Sequence, residues 1–222
     1  AMQALGAEVR FVPGGYAGAE TAGLAYAQET GRTWVSPYND GQVIAGQASI
    51  GFELVEQIDP FDVKSVIVPV GGGGLICGVA MALRSLGHNC QIIGVQSEAS
   101  SFMHAVFHGN LQDSVVEWDS LADGLAGKIE ANSITIPGTR EMADEILLVS
   151  EISIEEAIRY AWERHHEIIE GSAAVSLAAV LNGIISALPA VILISGGNIQ
   201  PELHKSIISR PYTQMKSFNQ SA

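Results

Sequence analysis

Two kinds of apolar pattern alternate along the chain. Continuous Val/Ile/Leu-rich runs occur at 65–70 (SVIVPV), 91–95 (QIIGV), 146–150 (ILLVS) and 190–195 (AVILIS), with weaker β-branched stretches at 8–12 and 33–36. Uninterrupted runs predict parallel strands covered on both faces, because a strand with one wet face would alternate. Between them, apolar residues recur at helical spacing over 17–30, 42–57, 75–86, 100–108, 154–167 and 172–187. Gly87 is placed to cap the end of the 75–86 helix, and Ser153 with Glu156 forms a capping box for a helix opening at Ile154. This alternation predicts an α/β fold of three layers around a mostly parallel sheet. The opening AMQALG reads as the last turn of a helix ending at Gly6, so a segment is expected in front of it.

Two uncharged stretches, 66–83 and 173–195, are long enough to cross a bilayer. Pro69 and a glycine run interrupt the first, and Asn182-Gly183 and Pro189 the second, so each is expected to be a buried strand and a helix joined by a turn. No membrane partner is expected. The 222 residues carry 11 Lys plus Arg against 24 Asp plus Glu, a formal charge of −13, which repels nucleic acid and anionic membrane surfaces. Cys77 and Cys90 lie in or beside apolar stretches without CxxC spacing and read as free thiols of a reducing compartment. The start has no basic region followed by an apolar block, so no leader is expected and a cytoplasmic location is.

Candidate chemistry begins at the end of the 65–70 strand, where Gly71, Gly72, Gly73 and Gly74 precede a helix opening at Leu75. A strand that runs through glycines into a helix presents several main-chain N–H groups to one spot, helped by the helix dipole, and phosphate is the usual guest. A tight, closely packed turn would require only one or two glycines. Four favour the anion. The run continues Leu-Ile-Cys where a P-loop needs Lys-Ser/Thr, and GxGxxG fails in every register. Gln96 stands where a ribose-binding acid would, with Glu98 a late substitute. A second signal, Ser195-Gly196-Gly197-Asn198, follows the last strand. Ligands of parallel sheets bind beyond the carboxyl ends of strands, so Ser195 and the four glycines are expected at one crevice. The alternative for Ser195 is a hydroxyl tied to its own turn. His104 and His108, spaced i, i+4 without a third ligand, read as a solvated face, and no metal site is expected. His165 and His166 read as surface residues or partners of a helix C-terminus, and Trp34, Trp118 and Trp162 as core or interface residues.

Taken in order, ALGAEV, VIAGQASIGFELVEQ, VPVGGGGL, IIGVQ, LADGLA, EGSAAVSLAAVL and ISGGN resemble the fold-type II pyridoxal-phosphate enzymes, the tryptophan synthase β-like fold, and most closely the threonine dehydratase and serine racemase group. The resemblance implies pyridoxal 5'-phosphate as cofactor. Its phosphate would lie on Gly71, Gly72, Gly73, Gly74 and the N–H of Leu75, and Ser195 would face its ring nitrogen. Gly124 of the Ala-Asp-Gly element and Glu170 of EGSAA would lie near the ring. A hydroxyl leaves the pyridine nitrogen unprotonated and the ring a weaker electron sink, which suffices where a β-leaving group departs. The implied reaction is elimination of water from a small hydroxy amino acid, giving a 2-oxo acid and ammonia, in a homodimer.

The chain departs from that family's pattern. The Ser-Phe-Lys-x-Arg-Gly-like motif that carries the Schiff-base lysine is absent, and Lys64, Lys128, Lys205 and Lys216 lie in other contexts. The Ser-x-Gly-Asn-His loop that holds the substrate carboxylate is absent too. Both are expected upstream of Ala1, in roughly a hundred residues, the size of a small domain. Residues 1–40 are then the end of a small domain and 41–222 a cofactor-binding domain, with no catalytic residue in this chain and no activity expected of it alone. Gln96 replaces a glutamate that ligates metal in some members, and Gly171 a common proline. No regulatory domain is expected after the polar tail MKSFNQSA. The competing reading is a non-catalytic anion- or nucleotide-binding module.

Overall fold

The computed structural model describes residues 2–58 and 62–209, which leaves Lys216 and the polar tail outside the described residues. The chain divides into two units, Ala1–Ser36 and Pro37–Ala222. In the first, a 3₁₀ turn at Met2–Leu5 ends at Gly6 with φ +83°, and α1 spans Gly15–Thr30 between left-handed Gly14 and Gly31. Gly23 of α1 lies against the ring of Trp34, where a Cβ would come within 2.5 Å. The strands expected at 8–12 and 33–36 do not form. A strand exists only through the neighbour that takes its N–H and C=O groups, and neither stretch has a ladder partner among the described residues.

The second unit follows the predicted alternation. It runs α2 (Gly41–Gln57), β1 (Ser65–Pro69), α3 (Gly74–Ser85), β2 (Gln91–Ser97), α4 (Phe102–Phe107), α5 (Thr135–Met142), β3 (Glu145–Val149), α6 (Glu151–His165), α7 (Gly171–Leu181), β4 (Ala190–Ile192) and α8 (Pro201–Ile208). The four strands are all parallel, in the order β3-β2-β1-β4. Val66, Val68 and Val70 pack with α3 and α4 on one face, and Ile67, Ile93 and Val95 with α6 and α7 on the other. That double coverage is what the unbroken apolar runs require, and it gives the expected three layers.

Local signals were partly misread. The cap of α6 is Ser150, whose Oγ accepts from Ser153 N–H at 3.3 Å, and the helix opens at Glu151, three residues before the Ile154 start that the Ser153–Glu156 box implied. Gly87, with φ +81°, follows α3 as expected, and His88 N–H returns to the Leu83 carbonyl. Regular pairing of β4 ends at Ile192, and α4 and α7 are shorter than the 100–108 and 172–187 stretches. Neither α5 nor α8 was expected from the pattern. Trp118 is exposed at 53 %, against its expected place in a core or interface.

Strand order fixes the place of a site. The chain leaves β1 toward β2 on one side and returns from β3 to β4 on the other, so a crevice opens between the carboxyl ends of β1 and β4. Inside the sheet, Gly94 of β2 has no room for a side chain, because a Cβ would press on Val70 at 2.7 Å and Ile76 at 3.0 Å. Gly46 on α2 meets nothing. Gly94→Val is therefore expected to destabilise the protein by about 1–3 kcal/mol through overpacking. Gly46→Ala should stabilise it by roughly 0.5–1 kcal/mol. Urea titrations of the two variants check both signs.

Candidate functional site

The glycine loop is built by two hydrogen bonds that end one element and start the next. Val70 N–H still donates to the Val95 carbonyl, and Cys77 N–H donates to the Gly73 carbonyl as the first bond of α3. Between them, the N–H groups of Gly71, Gly72, Gly73, Gly74 and Leu75 make no backbone–backbone bond among the described residues. Five successive donors thus stand at the positive end of a helix. Gly73 caps α3 at φ +90°, a conformation that other residues seldom adopt.

The glycines are enforced by the protein itself. A Cβ on Gly71 would lie 3.1 Å from Leu125 Cα, one on Gly72 would enter the Tyr38 ring, and one on Gly74 would lie 2.9 Å from Tyr38 Cα. At Gly73 it would meet Met103 Cε at 2.7 Å and Thr139 Oγ1 at 3.0 Å. Close packing therefore accounts for all four, contrary to the expectation that it would need only one or two. The case for an anion rests on the amides.

The other predicted residues are linked to this loop in a chain of contacts. Leu125, whose backbone lies on Gly71, ends the 3₁₀ turn Asp123–Leu125 that contains Gly124. The Gly124 N–H donates to Ser172 Oγ at 3.0 Å and to Asp123 Oδ1 at 2.9 Å, so it is engaged within the protein. Ser172 opens α7 beside Gly171, where a Cβ would collide with the Leu121 carbonyl. Glu170 is the residue before α7, and its carboxylate does not cap that helix. It reaches the Ser195 loop, accepting the Asn198 N–H at 2.8 Å on Oε2, while its own N–H donates to the Gly196 carbonyl at 3.1 Å.

Ser195 itself is exposed, three residues beyond the paired Ile192, and the partner of Ile192 is Ile67, three residues before Val70. Leu193 N–H continues the ladder to the Ile67 carbonyl. Ser195 and Gly196 also line a cavity of about 520 Å³ with Ile192, Ile194, His165 and Leu177.

Further carboxylates hold the 97–127 segment over the sheet end. Glu151 accepts from Ser97 Oγ at 2.5 Å, Ser120 Oγ at 2.7 Å and Leu121 N–H at 2.6 Å. Glu117 accepts from Ser100 Oγ and Gly127 N–H. These residues, with Tyr38 and Thr135, were not anticipated, and no local signal marks them, because their partners lie far along the chain. The lysines stand elsewhere. Lys64 precedes the amino end of β1, the Lys128 ammonium bonds Asp113 at 2.7 Å, and Lys205 is on α8.

The remaining candidates have structural surroundings. The Gln96 side chain is buried and accepts His104 N–H at 2.7 Å. The His104 and His108 rings stack at 4.4 Å. Burial first, and then His108, pushes the His104 imidazole below its ordinary pKa. Burial pushes the Cys77 and Cys90 thiols up, so both are held as free, protonated thiols. His165 is exposed on the last turn of α6, with His166 following in the left-handed conformation. Among the described residues, no helix is long and apolar enough to cross a membrane, and no group of three or more His, Cys, Asp or Glu could hold a metal ion.

A family model described as pyridoxal-phosphate dependent enzyme matches residues 1–196. The chain is 38% identical over 207 residues to the L-threonine ammonia-lyase of Thermotoga maritima, covering 93% of this chain and 51% of that protein. It is 42% identical over 173 residues to the catabolic L-threonine dehydratase of Escherichia coli, covering 76% and 52%. Among solved structures it is similar to a threonine deaminase isoform of Solanum lycopersicum, with 30% identity and a TM-score of 0.80 over 93% of this chain and 61% of that one. The chain thus spans about half the length of these curated relatives.

The Glu170–Asn198 contact predicts a local effect. Glu170→Ala should leave the Asn198 N–H without its partner, speed its hydrogen exchange and lower stability by about 1–3 kcal/mol. Glu170→Gln, which keeps an acceptor oxygen, should lose less. Amide exchange read by NMR, beside urea unfolding, measures both.

Proposed function

The chain belongs to the pyridoxal-phosphate-dependent enzyme family, and from that premise we propose that it supplies the cofactor-holding part of an ammonia-lyase acting on a small hydroxy amino acid such as threonine or serine. In this reading residues 41–222 form the cofactor-binding domain and residues 1–40 the end of a smaller one, in a cytoplasmic homodimer. The observation that supports the proposal is that the neighbouring parallel strands β1 and β4 run at their carboxyl ends into two loops, one with five amides outside the backbone ladder and one with a hydroxyl.

Those residues fit the group at both of its ends. The amides of Gly71, Gly72, Gly73, Gly74 and Leu75, at the positive end of α3, suit a phosphate dianion. The Ser195 hydroxyl suits a ring nitrogen, and unlike a carboxylate it leaves that nitrogen unprotonated. When bound, the cofactor withdraws electrons from the substrate Cα and so lets the β-hydroxyl leave as water, with a 2-oxo acid and ammonia as products. Glu170, through Asn198 and Gly196, holds the loop that carries Ser195. Gly124 supports the opposite wall through Ser172 and Leu125, its own N–H being engaged within the protein.

None of the described lysines stands in the family's motif, so this chain alone is expected to release no 2-oxo acid from threonine or serine. A chimera in which it replaces the matching part of the Thermotoga maritima relative should release it. Ser195→Ala in that chimera should lower kcat by up to about tenfold, the scale of one lost neutral hydrogen bond, with unchanged far-UV circular dichroism. Turnover by the isolated chain, or full activity of the Ser195 variant, would overturn the proposal.

A further inference from the structure

Thr135 is fully buried on the first turn of α5, and its Oγ1 donates to the Gly72 carbonyl at 2.5 Å. Its proton is committed to that bond. The Ser133 and Thr135 hydroxyls lie 2.7 Å apart, and since Thr135 gives its only hydroxyl proton to Gly72, Ser133 must donate to Thr135. The segment is fixed from behind, because Asn39 Oδ1 accepts Ile134 N–H at 3.0 Å and Tyr38 Oη accepts Glu130 N–H at 2.8 Å. The Tyr38 ring covers Gly72 from another side.

A trans peptide points its C=O and N–H in opposite directions. Holding the Gly72 carbonyl toward Thr135 therefore turns the Gly73 N–H away from α5. The Gly73 carbonyl, bonded to Cys77 N–H, fixes the Gly74 N–H outward from the helix start in the same way. That second bond belongs to the helix and needs no helper. The Gly72–Gly73 peptide lies outside the helix and between two glycines, where backbone rotation is least restricted. A flip would turn its N–H inward and put a carbonyl where an anion should sit.

We propose that Thr135 is a positioning residue for phosphate, its hydroxyl locking the Gly72–Gly73 peptide so that the Gly73 amide faces the ligand. The proposal rests on reading the glycine loop as a phosphate cradle and names what sets that cradle's strength.

The test uses this chain with two probes, pyridoxamine 5'-phosphate and pyridoxamine, neither of which can form an imine with a lysine. The ratio of their affinities, from equilibrium dialysis, isolates the phosphate contribution from general damage, which would weaken both. Thr135→Val keeps the shape and removes the donor, and should cut the ratio about tenfold. Thr135→Ser should restore it. Should the valine variant fail to fold, Thr135→Cys, whose thiol is a weak donor, is expected to lower the ratio part of the way. A ratio unchanged in the valine or cysteine variant, or lost equally in the serine variant, would overturn the inference. A wild-type chain with no preference for the phosphorylated probe would overturn the cradle reading itself.

Discussion

The junction between β1 and α3 is a point of tight packing over four successive residues, and much of the site's geometry follows from it. Four successive residues have backbone from other segments, an aromatic ring or buried hydroxyls in the space where a side chain would go. Tyr38, Met103, Leu125 and the α5 pair Thr135 and Thr139 come from four separate parts of the chain, so the junction is also where those parts are brought into register. A close-packed interior tolerates no added methyl there without a shift of its neighbours. The same crowding excludes the side chains that could otherwise cover the amides at the start of α3.

Around this junction, loops are held by polar side chains reaching main-chain groups more than by apolar packing. Glu151, Glu117 and Glu170 each accept at least one backbone N–H from another segment, ten to thirty residues along the sequence. Asn39 accepts a backbone N–H with a neutral oxygen, and Thr135 donates its hydroxyl to the Gly72 carbonyl. Carboxylates that accept amides make charge-assisted bonds, which are stronger than neutral ones. They suit a chain with an acidic balance of −13 and with loops at the carboxyl end of its sheet. The sheet supplies position, and these contacts supply direction.

The sequence alone determined the layered plan of the second unit. Buried parallel strands must be apolar on both faces, and helices between them must show a helical period, so the runs at 65–70, 91–95, 146–150 and 190–195 were legible. The order of motifs was legible for the same local reason, as a strand end carries its glycines or its serine within a few residues. Tertiary structure decided what no local pattern holds. The stretches at 8–12 and 33–36 have strand composition and no partner, and α5 was missed because its pattern is short. Ser150, not Ser153, caps α6, since the chain leaves β3 one turn earlier than the apolar spacing implied. Close packing by Tyr38, Leu125, Met103 and Thr139 at the four glycines, and the bond from Asn198 N–H to the Glu170 carboxylate, were likewise invisible in the local pattern. Where a side chain or ring from another segment decides the outcome, as at the glycines, the partner is dozens of residues away, and such a hydrogen bond or steric limit exists only once the chain has folded.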